Sequence, residues 1–280
     1  MPELPEVETV VRELATSLPG LEIAKVSVIH DDLLREPPHG FRNGLKGARF
    51  ESVSRRGKNI LLHFFPPQLL VVNLGMTGQL LFFAPHRGGD KPDDESPTHP
   101  GVVFELGAGG KLVYADIRRF GLLRRYKVDE WEAEDARLGP EPLDPALTPA
   151  DLQMRLGSSR SPIRSWLLDQ TRIAGIGNIY ATEALFRAGV HPKRAASSIS
   201  TEESDRLLTA IRGVLSESIQ AQGTTLRDYR TASGEEGGFR SSLQAYGREG
   251  DPCRRCKTPI QRIVFGNRSA FLCPSCQPGP

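Results

Sequence analysis

Residues 59–84 read NILLHFFPPQLLVVNLGMTGQLLFFA. Three apolar runs of strand length, 59–65, 69–75 and 78–84, are broken by Pro66-Pro67 and by the Gly75–Gly78 stretch. Runs this short, rich in Leu, Val and Phe and punctuated by Pro and Gly, read as β-strands. The same texture continues outward on both sides. IAKVSVI (23–29) and ARFESVSRR (48–56) come before it, and GVVFEL (101–106) and KLVYAD (111–116) come after. Short strands at regular spacing between Glu22 and Val128 predict a β-sandwich. The polar, Pro- and Gly-bearing stretch HRGGDKPDDESPTHP (86–100) reads as an exposed, mobile loop.

Upstream, ELPEVETVVRELATSL (3–18) places Leu4, Val7, Val10, Val11, Leu14 and Leu18 at helical spacing, and Pro19-Gly20 stops the helix. Downstream, LGPEPLDPALTPAD (138–151) marks a boundary after which the period becomes helical: SPIRSWLLDQ, NIYATEALFRAG and TEESDRLLTAIRGVLSESIQAQG. Gly189 and Gly223 read as helix stops, and Thr201 opens a weak capping box with Ser204 in place of the usual Glu. TASGEEGGFRSS (231–242) reads as a flexible loop. The fold expected is α+β: a β-sandwich domain over 1–135 with a helix at its start, a linker over 136–150, a helical domain over 151–240, and a hairpin module over 241–280.

The chain has 280 residues, enough for two ordinary domains with cores of their own. No apolar run reaches the length of a membrane span, and the acidic start (Glu3, Glu6, Glu8) lacks a signal-peptide pattern, so a cytoplasmic protein is expected. A net charge of +2 says little alone, but its distribution is uneven. Basic residues gather in three runs: Arg42–Lys58, Arg118–Lys127 and Arg240–Arg268; acids gather at Asp90–Glu95 and Asp129–Asp135. Any one such run is ordinary solvated surface. Three of them, beside a metal motif, point toward phosphate binding.

All four cysteines fall in one pattern, Cys253-x2-Cys256-x16-Cys273-x2-Cys276. Two CxxC knuckles at this separation predict a tetrahedral thiolate site for one Zn2+. The competing reading, two disulfides, belongs to secreted chains. Four protein ligands leave no open position, so the metal is expected to be structural.

The opening Met-Pro-Glu-Leu-Pro-Glu has two readings. Pro2 and the glutamates suit the first turn of a helix, where a missing N–H is tolerated and acids complement the dipole. Alternatively, removal of Met1 exposes a secondary amine that titrates near neutrality and attacks a sugar C1′, with Glu3 and Glu6 at hand as acid, base or hydrogen-bonding groups. The motifs along the rest of the chain favour the second. PELPEVET at the start, RRGKNILL (55–62), NLGMTGQL (73–80), ADIRRFG (115–121), LLDQTRIAGIGNIYATEALFRAGVHP (167–192) and YGREGDPCRRC with FLCPSCQ occur in order. The chain closely resembles the bacterial formamidopyrimidine-DNA glycosylases over essentially its whole length.

That resemblance implies a bifunctional glycosylase and abasic-site lyase acting on oxidised purines in double-stranded DNA, working as a monomer and meeting the nucleoid through its substrate. It implies Pro2 as nucleophile, Glu3 as the acid that opens the sugar ring, Glu6 as a support of the pocket, and Lys58 as a contact to a phosphate beside the lesion. Met76, Arg118 and Phe120 match the trio that fills the hole left by a flipped nucleotide; read alone, Met76 and Phe120 are equally consistent with core. Asn178, at a helix start after glycines, and Arg268, in the hairpin, match phosphate contacts, with Tyr246 beside them; Asn178 is also an ordinary helix cap. The segment around 231–242 matches the loop that closes over the flipped purine. Three positions depart from the family pattern: Asn73 for His, Ile117 for Pro, and Lys257 for Gly. A non-catalytic, zinc-bearing DNA-binding protein is the rival class. An endonuclease VIII-type enzyme for oxidised pyrimidines keeps the chemistry and changes the pocket.

Overall fold

The computed structural model describes residues 2–85, 97–107, 109–265 and 268–279. In chain order it holds α1 (Leu4–Ser17), β1 (Ile23–Val28), α2 (Pro38–Leu45), β2 (Arg49–Arg56), β3 (Asn59–Phe65), β4 (Gln68–Asn73), β5 (Gly78–Phe83), β6 (Pro100–Leu106), β7 (Lys111–Asp116), β8 (Leu122–Tyr126), α3 (Val128–Asp135), α4 (Pro149–Gly157), α5 (Ile163–Leu168), α6 (Asn178–Ala188), α7 (Thr201–Gln220), β9 (Gln261–Phe265) and β10 (Arg268–Leu272). The chain is α+β and divides into two compact units: Met1–Ala136 with Ala221–Gly238, and Arg137–Gln220 with Phe239–Pro280.

In the first unit the strands form two four-stranded antiparallel sheets, ordered β1-β6-β7-β5 and β2-β3-β4-β8. Their inward residues, among them Ile23, Ile60, Leu62, Val72, Leu80, Phe104, Leu112 and Leu123, join one core with Val7, Val10, Val11 and Leu14 of α1 and with Leu18 just after it. All six residues at helical spacing in the 3–18 stretch are buried. The helix begins where the sequence allows it to: Glu3 is the N-cap, and Pro5 sits in the first turn, where its missing N–H is no loss. Gly20, at φ 87°, turns the chain away after it. Most of the 86–100 stretch, residues 86–96, lies outside the described residues.

In the second unit α6 packs on α7 and α5, and α4 packs on α7. Residues Ile179 to Phe186 of α6 are all buried, the signature of a central helix. Gly189, at φ 70°, caps it as expected. The capping box of α7 lies one residue earlier than the sequence reading placed it: the Ser200 amide donates to Glu203 Oε2 at 2.9 Å and the Glu203 amide to Ser200 Oγ at 3.2 Å. Thr201 is therefore inside the helix, and the Glu that the box requires is present.

The expected 151–240 span needs one correction, because Ala221–Gly238 belongs to the first unit. Tyr229 and Ala232 are buried in the sandwich core, and the Phe82 amide donates to the Ala232 carbonyl at 2.9 Å. The 231–242 stretch also has defined structure: the Thr231 amide donates to the Glu235 carbonyl at 2.9 Å, and Phe239–Ser242 is a 3-10 turn.

Candidate active site

Pro2, Glu3 and Glu6 are all buried at the N-terminal end of α1. The Glu3 amide donates to Glu6 Oε2 at 2.8 Å, and Glu6 Oε1 accepts from the Thr224 amide at 2.8 Å. One carboxylate thus caps α1 and ties it to a segment more than two hundred residues later. Tyr229 completes the tie, its hydroxyl donating to the Glu6 carbonyl at 3.3 Å and to the Gln222 carbonyl at 3.1 Å. Between them Gly223, at φ 87°, leaves no room for a side chain: a Cβ there would stand 3.1 Å from Glu6 Cγ and 3.0 Å from the Tyr229 ring. Of the two readings of the opening, the geometry serves both. The glutamates do cap the helix, and Pro2 is buried beside the two carboxyl groups in one water-poor corner, where an amine nucleophile and a proton donor can work.

Lys58 occupies the two-residue turn between β2 and β3 with Gly57, whose φ is 57°. Arg55 braces that turn, donating Nη1 to the Gly57 carbonyl at 3.0 Å and Nε to Glu8 Oε2 of α1 at 2.9 Å. Burial raises the Glu8 carboxyl, but the hydrogen bonds and charges of Arg12 and Arg55 outweigh it and the net shift is downward. Glu8 is therefore an ionised strut between α1 and the Lys58 turn.

Met76 and Phe120 are 40% and 59% exposed, which removes the core reading for both. They sit on two loops whose backbones touch. A Cβ on Gly75 would lie 2.6 Å from the Gly121 nitrogen, and one on Gly121 would lie 2.7 Å from the Asn73 carbonyl oxygen. The glycines flanking these residues are what allow the loops to meet. Arg118 is exposed, with its guanidinium 4.5 Å from the centre of the Phe120 ring. The loop is held from behind by Asp116, which is 2% exposed. Its carboxylate accepts from Thr77 Oγ1 at 2.5 Å, Tyr114 Oη at 3.2 Å, the Arg118 amide at 3.1 Å and the Gly121 amide at 2.9 Å. Ile117, in place of the family's Pro, is 57% exposed beside Arg118.

In the second unit, Asn178 begins α6 directly after Gly177, the N-cap. Its Oδ1 accepts from Arg164 Nη2 at 2.7 Å and its Nδ2 donates to the Ser269 carbonyl at 3.1 Å. Arg164 is 2% exposed, stacks 4.9 Å from the Phe265 ring, and also donates to the Ser269 carbonyl at 3.2 Å. Asn178 is thereby locked to the hairpin strand on which Arg268, exposed, is the neighbouring residue. Tyr246 packs edge-on against Phe271 of the same hairpin, 5.3 Å between ring centres. The turn before Tyr246 is gripped by Glu183, fully buried in α6, which accepts from the amides of Gln244 at 2.8 Å, Ala245 at 2.9 Å and Tyr246 at 2.8 Å.

The four cysteine sulfurs lie within 4.8 Å of one another. Three of their separations are 3.9, 3.4 and 3.5 Å, whereas four sulfurs at ~2.3 Å from a tetrahedral zinc stand about 3.8 Å apart. A disulfide requires ~2.05 Å, and all four thiols are free. The residues fit one structural Zn2+ and no disulfide. Lys257, just after the second cysteine, has φ 68°, the left-handed conformation that glycine takes without strain.

The structure places the predicted residues in three groups: Pro2, Glu3 and Glu6; Met76, Arg118 and Phe120; and Asn178, Tyr246 and Arg268 with the zinc cysteines. Lys58 lies on the β2–β3 turn that Arg55 and Glu8 tie to α1. Sequence reasoning missed Glu8, Asp116, Arg164, Glu183 and Thr224, which fix the others in place. Their partners are mostly backbone groups or distant segments, so no local spacing announces them.

Three comparisons bear on this arrangement. Family models match along the chain in order: the formamidopyrimidine-DNA glycosylase N-terminal domain over residues 1–123, its H2TH domain over 138–230, and the zinc finger found in FPG and IleRS over 250–279. The formamidopyrimidine-DNA glycosylase of Thermomicrobium roseum is 44% identical over 288 aligned residues, covering 99% of each chain. A Lactococcus lactis FPG mutant solved in complex with Fapy-dG-containing DNA superposes with a TM-score of 0.91 at 29% identity, covering 99% of this chain and 100% of the other. The Lactococcus lactis Fpg in complex with DNA containing an abasic site gives a TM-score of 0.90 at 29% identity, with the same coverage.

Proposed function

The chain belongs to the formamidopyrimidine-DNA glycosylase family, and from that premise we propose that it excises oxidised purines, 8-oxoguanine and formamidopyrimidines, from duplex DNA and then cleaves the abasic strand. The observation that carries this reading is the buried corner at the start of α1, where Pro2, Glu3 and Glu6 stand together and Glu6 is locked by the Thr224 amide. With Met1 removed, Pro2 is a secondary amine. Its nitrogen attacks C1′, the C1′–N bond to the base breaks, and the base leaves with the bonding pair. Glu3 donates a proton to the sugar ring oxygen, the ring opens, and an iminium joins Pro2 to C1′. Loss of a C2′ proton expels the 3′ phosphate, a second elimination expels the 5′ phosphate, and hydrolysis frees Pro2 and leaves a one-nucleotide gap.

The Met76, Arg118 and Phe120 loops suit the vacated space in the duplex, because an exposed thioether, guanidinium and ring on two braced turns can enter a base stack. Lys58, Asn178 and Arg268 offer donors to backbone phosphates. A zinc ion held by Cys253, Cys256, Cys273 and Cys276 would cross-link the hairpin that carries Arg268 and serve a structural role.

The test is borohydride trapping on a duplex with 8-oxoguanine opposite cytosine, with mass mapping of the crosslinked peptide. An adduct on a Met-free N-terminal peptide is expected. Absence of an adduct both there and on an abasic duplex would overturn the chemistry. Glu3→Gln is expected to slow single-turnover base release about 100- to 10,000-fold, the range for a lost general acid.

A further inference from the structure

Asn73, the last residue of β4, stands opposite Asn59, the first residue of β3, as a cross-strand pair. The backbone fixes the polarity of the two amides. The Gly75 amide donates to Asn73 Oδ1 at 3.0 Å, and because a backbone N–H can only donate, that end of Asn73 must be oxygen. Asn73 Nδ2 then donates to Asn59 Oδ1 at 2.8 Å, which makes the remaining end of Asn59 its NH2 group. Each oxygen already accepts one hydrogen bond inside the relay, and the end of Asn59 left over from it is a donor. Among the described residues no acceptor meets the Asn59 Nδ2.

The setting is half-buried, with Lys58 as its nearest cation. Asn59 follows Lys58 on the same turn, both asparagines are only partly exposed, and the two preceding arginines, Arg55 and Arg56, are paired with Glu8 and Asp135. The relay also joins that turn to the loop bearing Met76, which leaves β4 directly after Asn73. A leftover amide donor beside a lysine suits an acceptor-rich, anionic ligand, and a phosphodiester is such a ligand. We propose that Asn59 and Asn73 form a paired-amide grip on one backbone phosphate of bound DNA, with Asn59 a phosphate-binding residue. Asn73, where the family pattern has His, hands the outward donor role to its cross-strand partner. This rests on the DNA-repair reading above.

The test uses anisotropy titrations of the full-length zinc protein with a duplex bearing a stable abasic analogue, and with duplexes in which single phosphates near the lesion are replaced by neutral methylphosphonates. Asn59→Asp keeps the oxygen that Asn73 needs and exchanges the donors for an anion. It is expected to weaken binding at least about tenfold on the unmodified duplex, the scale of a lost hydrogen bond to a charged group plus repulsion. At one methylphosphonate position, and only there, its affinity should return to within about threefold of wild type, since the repelled charge is gone. Asn59→Ala should show the same single-position coupling with a smaller loss, and unchanged zinc content and melting midpoint confirm that both variants fold. Binding within twofold of wild type on the unmodified duplex, or losses that simply add at every position, would overturn the proposal while leaving the glycosylase reading intact. Failure of the wild-type protein to bind the abasic duplex would overturn both.

Discussion

At the scale of single residues, two departures in conformation and charge decide the behaviour of their surroundings. Lys257 holds a left-handed backbone at φ 68° in the first zinc knuckle, and its amide closes the knuckle on the Cys253 carbonyl at 2.9 Å. A β-carbon in that region costs roughly 1 kcal/mol or more. Lys257→Gly should therefore stabilise the knuckle by about 1 kcal/mol, offset in part by the greater freedom of glycine in the unfolded chain. Slower zinc transfer to a chromogenic chelator is the expected result, and faster transfer would show that the lysine side chain contributes more than its backbone costs. Asp116 acts in the opposite sense, as a buried acceptor of four hydrogen bonds behind Arg118 and Phe120. Asp116→Asn keeps the volume but turns one oxygen into a donor facing donors. It should cost about 2 kcal/mol in denaturant unfolding. Quenching of a fluorescent base opposite the lesion, which reports insertion into the duplex, should fall further than affinity does. Both roles were only half legible in the sequence. The missing glycine after Cys256 was visible as a pattern, whereas Asp116 bonds to backbone amides and to hydroxyls, one of them on the distant Thr77, that carry no periodic signal.

At the scale of elements, periodicity read the helix and strands well because each buries one face. The six apolar residues in the 3–18 stretch are all buried, and the strand runs around 59–84 fall in β3, β4 and β5. It failed on α3, an acidic helix without an apolar stripe, whose Trp131 covers a small cluster of Leu61, Leu69, Val71 and Tyr126 on the outside of the second sheet. It failed too on Ala221–Gly238, whose place beside α1 is set by the bond from Thr224 to Glu6 across 218 residues of sequence. What joins α1 to the Lys58 turn is likewise a pair distant in sequence, Glu8 and Arg55, with side chains 20% and 10% exposed. Because the folded Glu8 carboxyl is shifted downward, its contribution to stability is complete above its unfolded value of about 4.3 and is lost as pH falls through the lower folded value. Glu8→Gln leaves Arg55 without its carboxylate and should cost about 2 kcal/mol at pH 7, less than a fully buried pair because the strut is partly wet. The gap between variant and wild type should be full at pH 7, narrow as pH falls below the unfolded value of about 4.3, and close only in acid below the lower folded value, where wild-type Glu8 also protonates. Denaturant midpoints at pH 7 and in acid measure this, and a gap that persists unchanged in acid would mean that the carboxylate charge is not what braces the turn.

For the whole molecule, the sandwich unit and the hairpin end of the second unit are held by different forces. The first has a large apolar core drawn from two sheets and α1, and it contains none of the cysteines. The hairpin end of the second has a small one: Phe186, Ala245, Cys253, Ile260 and Cys273, with Phe271 and Cys276 against them. Two strands with so little apolar cover are marginal alone, so the free energy of zinc binding is largely the folding free energy of this module. Its loss should travel along named contacts. Without a fixed β10, the Ser269 carbonyl no longer receives Arg164 and Asn178, and the buried Arg164 is left facing Asn178 alone. Stripping the metal with a mercurial and a chelator should release one zinc per chain and open the 250–279 region to protease, while fragments of the sandwich unit stay resistant. Affinity for an abasic duplex should fall by at least about a hundredfold, since the phosphate contacts proposed for Arg268 and Asn178, each worth about 1.5–3 kcal/mol, go together. If the stripped protein keeps both its protease resistance and its affinity, the hairpin is held by packing alone and the zinc has no part in presenting these residues to DNA.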